Sequence, residues 1–454
     1  MVAQQRLPTR QNVAKILKHF EAKEGLIYLN GQVLVERDDT DVEQPFRQES
    51  NFYYVTGVAE PDFHVVIDVS TKKVTLYAPP IEPDHVMWMG LPDSMEVMKE
   101  KYDADAIAYV DQMSQQLERA SIIYTLPITK TEALKQDHLK AKLCSAEQSK
   151  QLYQAFVAAR SIKADWEVDL IRKANDISSN AHIKLMKAAH KGANEAQLHA
   201  LFLYESYMNG AFFQAYYPIV GVGKNAATLH YNKNNAPLND EKEIVLVDAG
   251  CEYNCYASDI TRCFPVGGKF SPEARTIYTI VLQMQKACFE ACKAGVEYEE
   301  IHRIAMRVAV DGLLECGILM GDKQEILDNY VGAAFFPHGV GHMLGLDVHD
   351  VGGYPEGVDR INEPGIRNLR LRRKLEAGFV VTIEPGVYFC DFLIDPVLND
   401  PKTGKYINKE KLAQYKPVGG VRIEDNILIT EEGYINLTPV PKEIDQVEAI
   451  MAEK

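Results

Sequence analysis

No apolar run in this 454-residue chain approaches the roughly 18 residues that a membrane-spanning helix needs. The opening MVAQQRLPTR has no apolar stretch, so a secretory leader is not expected. Arg6, Arg10, Lys15 and Lys18, with no acid among them, give the first segment a slight likeness to a mitochondrial presequence. The simpler expectation is a first surface helix capped by Thr9. Positive charge is also short: 49 Lys and Arg against 64 Asp and Glu leave a net charge of −15. A phosphate-backbone binder needs a basic surface, so nucleic acid is excluded as the main partner. There is no low-complexity tract and no evident repeat. The eight cysteines lack paired metal-ribbon spacing: Cys251 and Cys255, like Cys288 and Cys292, have three residues between them rather than two. They are expected to be reduced, mostly buried thiols of a reducing compartment, which makes the sequon at Asn436 irrelevant and the protein cytoplasmic.

What is present is ordinary globular material, 46% hydrophobic and 25% charged. The chain is too long for a single ordinary core. Its first third reads as mixed α/β, with strands expected at 26–29, 52–55, 65–69 and 74–78. The polar stretch 135–149 reads as a connector. From Asp165, a plausible cap, apolar residues recur at helical spacing: Trp166, Leu170, Ile171, Ala174, Ile177, Ala181 and Leu185. This places a domain boundary near 155, giving domains 1–155 and 156–454. In the second, strand-like runs at 244–247, 379–383 and 421–429 alternate with helical stretches at 272–294 and 299–316. The expected class is α+β, with helices gathered against a sheet.

Two carboxylates open the chemistry. In VDAGCEYNCYASDIT, an apolar strand runs into Asp248 and a second contains Asp259. A two-residue turn at Tyr253 and Asn254 would set Asp248 directly opposite Asp259, with Cβ atoms about 4.5–5.5 Å apart. Like charges so placed are destabilising unless a cation cancels them. The alternative is a longer turn with another register, or one Asp in solvent. Further on, PHGVGHMLGLDVHD gathers His338, His342 and His349. Its glycines make it a poor helix, so it is not the helical two-histidine zinc motif. In an extended chain His338 and His342 lie roughly 13 Å apart, too far to share an ion. One of them is expected to bind metal and the others to meet substrate.

Glu384 ends an apolar strand in VVTIEPGVYF, and Pro385, which cannot donate to a ladder, marks that end. A carboxylate buried in such a run needs a partner. In GGVRIEDNILIT, alternation puts Arg422 and Glu424 on one face. Taken alone, that pair reads as a surface salt bridge. The combined candidate set is Asp248, Asp259, His342, Glu384 and Glu424. Oxygen-rich ligation with one imidazole suits manganese, cobalt, iron or zinc. Two such ions can share a hydroxide that is nucleophilic at neutral pH.

These segments resemble the pita-bread metallopeptidases, the group that includes methionine aminopeptidases, aminopeptidase P and prolidase. HGVGHMLGLDVHDVGGYPEG and GGVRIEDN are similar to the prolyl-specific branch and close to eukaryotic prolidase. FRQESNFYYVTGV and the WMG at 88–90 are similar to the prolidase N-terminal domain. The resemblance implies an N-terminal mixed α/β domain, serving dimerisation and substrate access, and a C-terminal pita-bread domain with a curved, mainly antiparallel sheet covered by helices. It implies two divalent ions, commonly manganese, a homodimer, and small proline-containing peptides as substrates.

By the same resemblance Asp248 chelates one ion, Asp259 and Glu424 bridge both, and His342 and Glu384 hold the other. Glu384 also takes a proton from the attacking water. His230 steadies the oxyanion or scissile amide, and His349 lies near the substrate. His338 and Arg422 orient the ligands, and Arg370 pairs with a dipeptide's C-terminal carboxylate. An Xaa-Pro bond is a tertiary amide without an N–H, which defeats peptidases that bind that donor. The implied activity is an Xaa-Pro dipeptidase, towards which Arg370 tilts the balance. The alternative is an Xaa-Pro aminopeptidase acting on longer peptides, with which the YFC at 388–390 is shared. A non-catalytic binding module of the same fold is disfavoured by the complete ligand set.

Overall fold

The computed structural model describes residues 6–131, 134 and 136–453. It divides into two compact units, residues 1–160 and 161–454.

The first unit is built on strands β1 (Leu26–Asn30), β2 (His64–Asp68), β3 (Val74–Ala78), β4 (Ala106–Tyr109) and β5 (Ile123–Tyr124). They are ordered β4-β3-β2-β1-β5 in a mixed sheet, antiparallel across β1–β2 and β2–β3 and parallel at both edges. Leu26, Tyr28, Val66, Tyr77, Leu117 and Ile123 form a core on this sheet. Two local expectations fail here. Residues 52–55 are not a strand but lie in the helix Ser50–Thr56. Its β-favouring composition is overridden by its ends. The Glu49 carboxylate accepts from the Asn51 and Phe52 amides at 2.9 and 2.7 Å, and Gly57 closes the helix at φ 67°. Nor does Thr9 cap the first helix. Thr9–His19 begins after Pro8 with no side-chain cap, and Thr9 is buried inside it. Within 135–149 there is a helical turn, Asp137–Lys140, and the start of the helix Ala146–Ser161. Lys135 lies outside the described residues.

Among the described residues the second unit has antiparallel pairings only, among β6 (Phe213–Gln214), β7 (Ile219–Val222), β8 (Ile244–Asp248), β9 (Cys251–Tyr253), β10 (Tyr256–Ala257), β11 (Thr261–Pro265), β12 (Val380–Ile383), β13 (Gly386–Tyr388), β14 (Gly420–Arg422), β15 (Asp425–Ile429) and β16 (Tyr434–Asn436). Helices Asp165–Ala188, Glu195–Met208, Pro272–Ala291 and Tyr298–Glu315 share one large core with these strands. The first buries Leu170, Ile171, Ala174, Ile177, Ala181 and Leu185, as their spacing predicts. Asp165 is its first residue and not its cap; the preceding Ala164 donates its N–H to Glu167 at 2.9 Å. Among the described residues, no helix is long and apolar enough to cross a membrane.

The hairpin register differs from expectation. Its turn is Asn254 and Cys255, at φ 48° and 62°, with Tyr253 paired to Tyr256. A two-residue hairpin turn with both central residues at positive φ suits asparagine far better than tyrosine. Asp248 therefore faces Thr261, not Asp259. The slip is two residues, an even number, so both aspartates stay on one face.

The ladders are interrupted in matched places. Residues 249–250 separate β8 from β9, and 258–260 separate β10 from β11. Likewise 384–385 separate β12 from β13, and 423–424 separate β14 from β15. Strand 421–429 is thus two strands. Asp248, Asp259, Glu384 and Glu424 all lie in or beside these breaks. A bridge between Thr261 and Glu424 joins the two interrupted ladders. Gln285, buried in Pro272–Ala291, donates to the carbonyls of Ile383 and Ile423 at 3.0 and 3.1 Å, satisfying backbone that the breaks leave unpaired.

Candidate metal centre

Ligand atoms of Asp259, His342 and Glu424, all buried, lie within 4.8 Å of one another. His342 comes from the glycine-rich segment, which runs beside β12 through a Thr382 N–H to His342 O bond of 2.9 Å and a Glu384 N–H to Val340 O bond of 2.8 Å. A Cβ on Gly341 would meet Thr382 O and Tyr298 Oη at 2.2 Å, so only glycine permits this approach. The Nδ1 of His342 lies 2.9 Å from Met343 O, which can only accept, so Nδ1 carries the proton. Its Nε2 lone pair therefore faces Asp259 Oδ2 at 3.3 Å and Glu384 Oε1 at 3.5 Å.

Asp248 is held from two sides. Tyr216 Oη donates to Oδ1 and Arg422 Nη2 donates to Oδ2, each at 2.5 Å. The expected surface pair of Arg422 with Glu424 is absent, because both side chains are buried. Arg422 instead links the two ladders. Besides Asp248 it reaches Thr261 Oγ1 at 3.0 Å and Tyr388 Oη at 2.9 Å, while the Thr261 hydroxyl donates to Glu424 Oε2 at 2.7 Å. His338 does not join the ligand cluster. Its Nδ1 lies 2.7 Å from Gly339 O and 3.9 Å from Glu384 Oε2, and its Nε2 lies 2.8 Å from Tyr388 Oη. His349 packs edge-on to His342, with ring centroids 4.4 Å apart.

The same cavity, about 680 Å³, is lined by all ten sequence-predicted residues, His230, Asp248, Asp259, His338, His342, His349, Arg370, Glu384, Arg422 and Glu424, together with Tyr216. His230, His349 and Arg370 are exposed in it. Tyr216, Thr261 and Tyr388 escaped the sequence reading, since a tyrosine or threonine among apolar neighbours carries no metal signature. Glu195 escaped for another reason: after the capping Asn194 it looks like an ordinary first-turn acid. It is fully buried. Oε1 accepts from Val222 N–H at 2.8 Å and Asn225 Nδ2 at 2.9 Å, and Oε2 from Tyr231 Oη at 2.9 Å and Ala236 N–H at 2.8 Å. These donors bracket the irregular segment carrying His230. Asn234 adds a second tie, accepting from Val220 N–H at 2.9 Å and donating to Pro218 O at 2.7 Å.

The residues present fit divalent cations. Among the described residues, Glu424 Oε1 is buried with no hydrogen-bond partner. Burial, then the charges of neighbouring carboxylates, push the carboxyls of Asp259, Glu384 and Glu424 well above the usual range. Burial drives the His342 imidazole down to about 4, so it is neutral and able to ligate. Lone pairs of imidazole and carboxylate converging on one point require a proton or a cation between them. A set of oxygens with one imidazole suits a hard or borderline divalent ion.

Comparison with known proteins agrees with this chemistry. Residues 169–431 match the model for metallopeptidase family M24, and residues 9–123 match that for the aminopeptidase P N-terminal domain. A probable Xaa-Pro aminopeptidase of Botryotinia fuckeliana is 46% identical over 98% of this chain and 97% of its own. Another, from Podospora anserina, is 44% identical over 99% of this chain and 98% of its own. Among solved structures, the aminopeptidase PepP of Pseudomonas aeruginosa superposes with a TM-score of 0.82 at 30% identity, covering 99% of both chains. Aminopeptidase P from E. coli with the inhibitor Pro-Leu gives 0.81 at 30%, again over 99% of both. These neighbours bear out the expected α+β pita-bread architecture with its N-terminal domain. They carry aminopeptidase P names, so the specific likeness to prolidase gives way to the aminopeptidase P branch. With its site built for divalent metal, the chain belongs to metallopeptidase family M24.

Proposed function

We propose that the protein is an Xaa-Pro aminopeptidase, a divalent-metal hydrolase that removes the first residue of peptides whose second residue is proline. The observation that carries it is full-length identity of 44–46% to fungal relatives named for that activity, with the five candidate ligands in one cavity. Asp248, Asp259, His342, Glu384 and Glu424 would hold two ions, and manganese fits the oxygen-rich set. Such ions supply polarisation of the scissile carbonyl and acidification of water.

The chain's own residues supply the rest. Glu384, with its raised carboxyl, is suited to take the proton of the attacking water and pass it to the leaving proline nitrogen. His230 and His349 line the cavity as donors to the carbonyl oxygen. Arg422, Thr261 and Tyr216 fix the carboxylates so that no side-chain rearrangement is needed. No group here has to accept a hydrogen bond from the scissile nitrogen, which proline lacks. The dipeptidase reading retains one observation in its favour, the exposed Arg370 in the cavity. The two separate on a single comparison, hydrolysis of a tripeptide with penultimate proline against Gly-Pro by the manganese-loaded protein. Preference for the tripeptide is expected; preference for Gly-Pro would replace the aminopeptidase assignment with the dipeptidase one.

A further inference from the structure

Five arginines fall between residues 360 and 373, and they divide cleanly. Arg372 and Arg373 pair with Glu299 and Glu376. Arg360, Arg367 and Arg370 line the cavity instead, and among the described residues none of them pairs with a carboxylate. Three like charges are costly to gather at one mouth unless an anion answers them. Their backbone is also built rather than loose. Arg360 Nη1 donates to Leu369 O at 2.7 Å and to Arg367 O at 3.2 Å, with its guanidinium 5.2 Å above the Tyr354 ring. The Tyr354 hydroxyl donates to the same Leu369 carbonyl at 2.7 Å, and Asn368 Nδ2 donates to Pro337 O at 3.0 Å. The turn bearing Arg367 and Arg370 is thereby fixed over the cavity.

The cavity's opposite polarity narrows the ligand. Asp248, Asp259, Glu384 and Glu424 share it with the arginines. With two divalent ions on those carboxylates, the charge left over lies on the arginines at the rim, and a short peptide seated at the metals carries one terminal carboxylate to answer it. We propose that Arg360 and Arg367 extend Arg370 into a rim that reads the C-terminal carboxylate of short Xaa-Pro-Yaa peptides, making the enzyme selective for free tripeptide-sized substrates. This rests on the peptidase function proposed above.

The test compares kcat/KM of the metal-loaded protein on an Xaa-Pro-Ala tripeptide and on its C-terminal amide. Charge-assisted hydrogen bonds of this kind predict a fall of roughly tenfold or more on amidation, carried mainly by KM. In Arg367→Gln the ratio of acid to amide should shrink towards one, because the acid slows while the amide does not, and Arg367→Lys should restore part of it; Arg360→Gln, which also loosens the turn, should shrink the same ratio whatever it does to the two rates together. Equal rates on acid and amide in the wild type, or an unchanged ratio in both Gln variants, overturn the rim. An amidated Xaa-Pro-Glu as fast as the free tripeptide would overturn its assignment to the C-terminus. Calorimetric titration with Pro-Ala and its amide reads the rim without turnover. Weaker binding of the amide that vanishes in Arg367→Gln supports the rim even if no peptide is cleaved, in which case the peptidase function alone has failed. Equal binding of both overturns it.

Discussion

Replacing Glu195 with glutamine changes one oxygen for an NH2 group and nothing else in size, yet Glu195 accepts two hydrogen bonds at each oxygen. Turned one way, its NH2 faces the Val222 N–H and the Asn225 side-chain amide; turned the other, it faces the Ala236 N–H, while the Tyr231 hydroxyl can rotate to accept. Either way a backbone N–H, of Val222 or Ala236, loses its acceptor. A buried donor left unsatisfied costs about 1–3 kcal/mol, so the change costs at least that before relaxation. At about 2–4 °C per kcal/mol for a domain of 150–250 residues, thermal unfolding should fall by roughly 2–12 °C. The same donors bracket His230, so looseness should reach the chemistry, where a misplacement near 1 Å can cost about a hundredfold. Differential scanning calorimetry and kcat/KM on an Xaa-Pro-Ala peptide read both effects. Glu195→Gln with unchanged unfolding temperature would refute the count of satisfied donors. A destabilised variant with full kcat would show that Glu195 holds the fold but does not position His230.

Three further outcomes are expected. Asp259→Asn and Glu424→Gln should each abolish peptidase activity and lower metal content by elemental analysis; near-full activity in either would sink the dinuclear assignment. Because burial and mutual repulsion raise the carboxyls of Asp259, Glu384 and Glu424, the chelated protein should hold extra protons and release them when manganese is added, seen as acidification in weakly buffered solution near pH 6. No release would contradict the crowding of those charges. Burial also depresses His182 to about 4 and His302 to about 3. Below pH ~6.5 the unfolded chain then binds protons that the folded one refuses, so stability present at pH 7 is lost progressively as pH falls towards 4 and 3. His302→Phe should flatten that decline in thermal unfolding measured from pH 7 to pH 4.5, and an unaltered slope would count against it.

The amphipathic helix at Asp165–Ala188 and the β1, β2, β3 and β8 strands follow from periodicity in the sequence, because one buried face imposes its period on the residues. Asp248 and Glu384 were legible for a related reason, since a carboxylate ending an apolar run is chemically conspicuous, whereas Glu424 and the choice of His342 rested on the family resemblance. Local chemistry that competes across only a few residues was not legible. The run FYYV favours a strand by composition, and only Glu49 and Gly57 at its ends decide for a helix. The hairpin between Asp248 and Asp259 hung on which pair of residues takes positive φ, and the even slip preserved the facing while changing the partner. Long-range partnership was beyond the sequence altogether. Arg422 and Glu424 look like neighbours on an exposed strand, yet the break at 423–424 buries both and hands Arg422 to Asp248, 174 residues away. Glu195 and Tyr216 have no signature at all, because their roles consist of contacts. Sequence by itself determined which groups carry the charge and the lone pairs. Only the tertiary structure decided which of them meet, because burial and long-range hydrogen bonding depend on neighbours that the chain brings from far away.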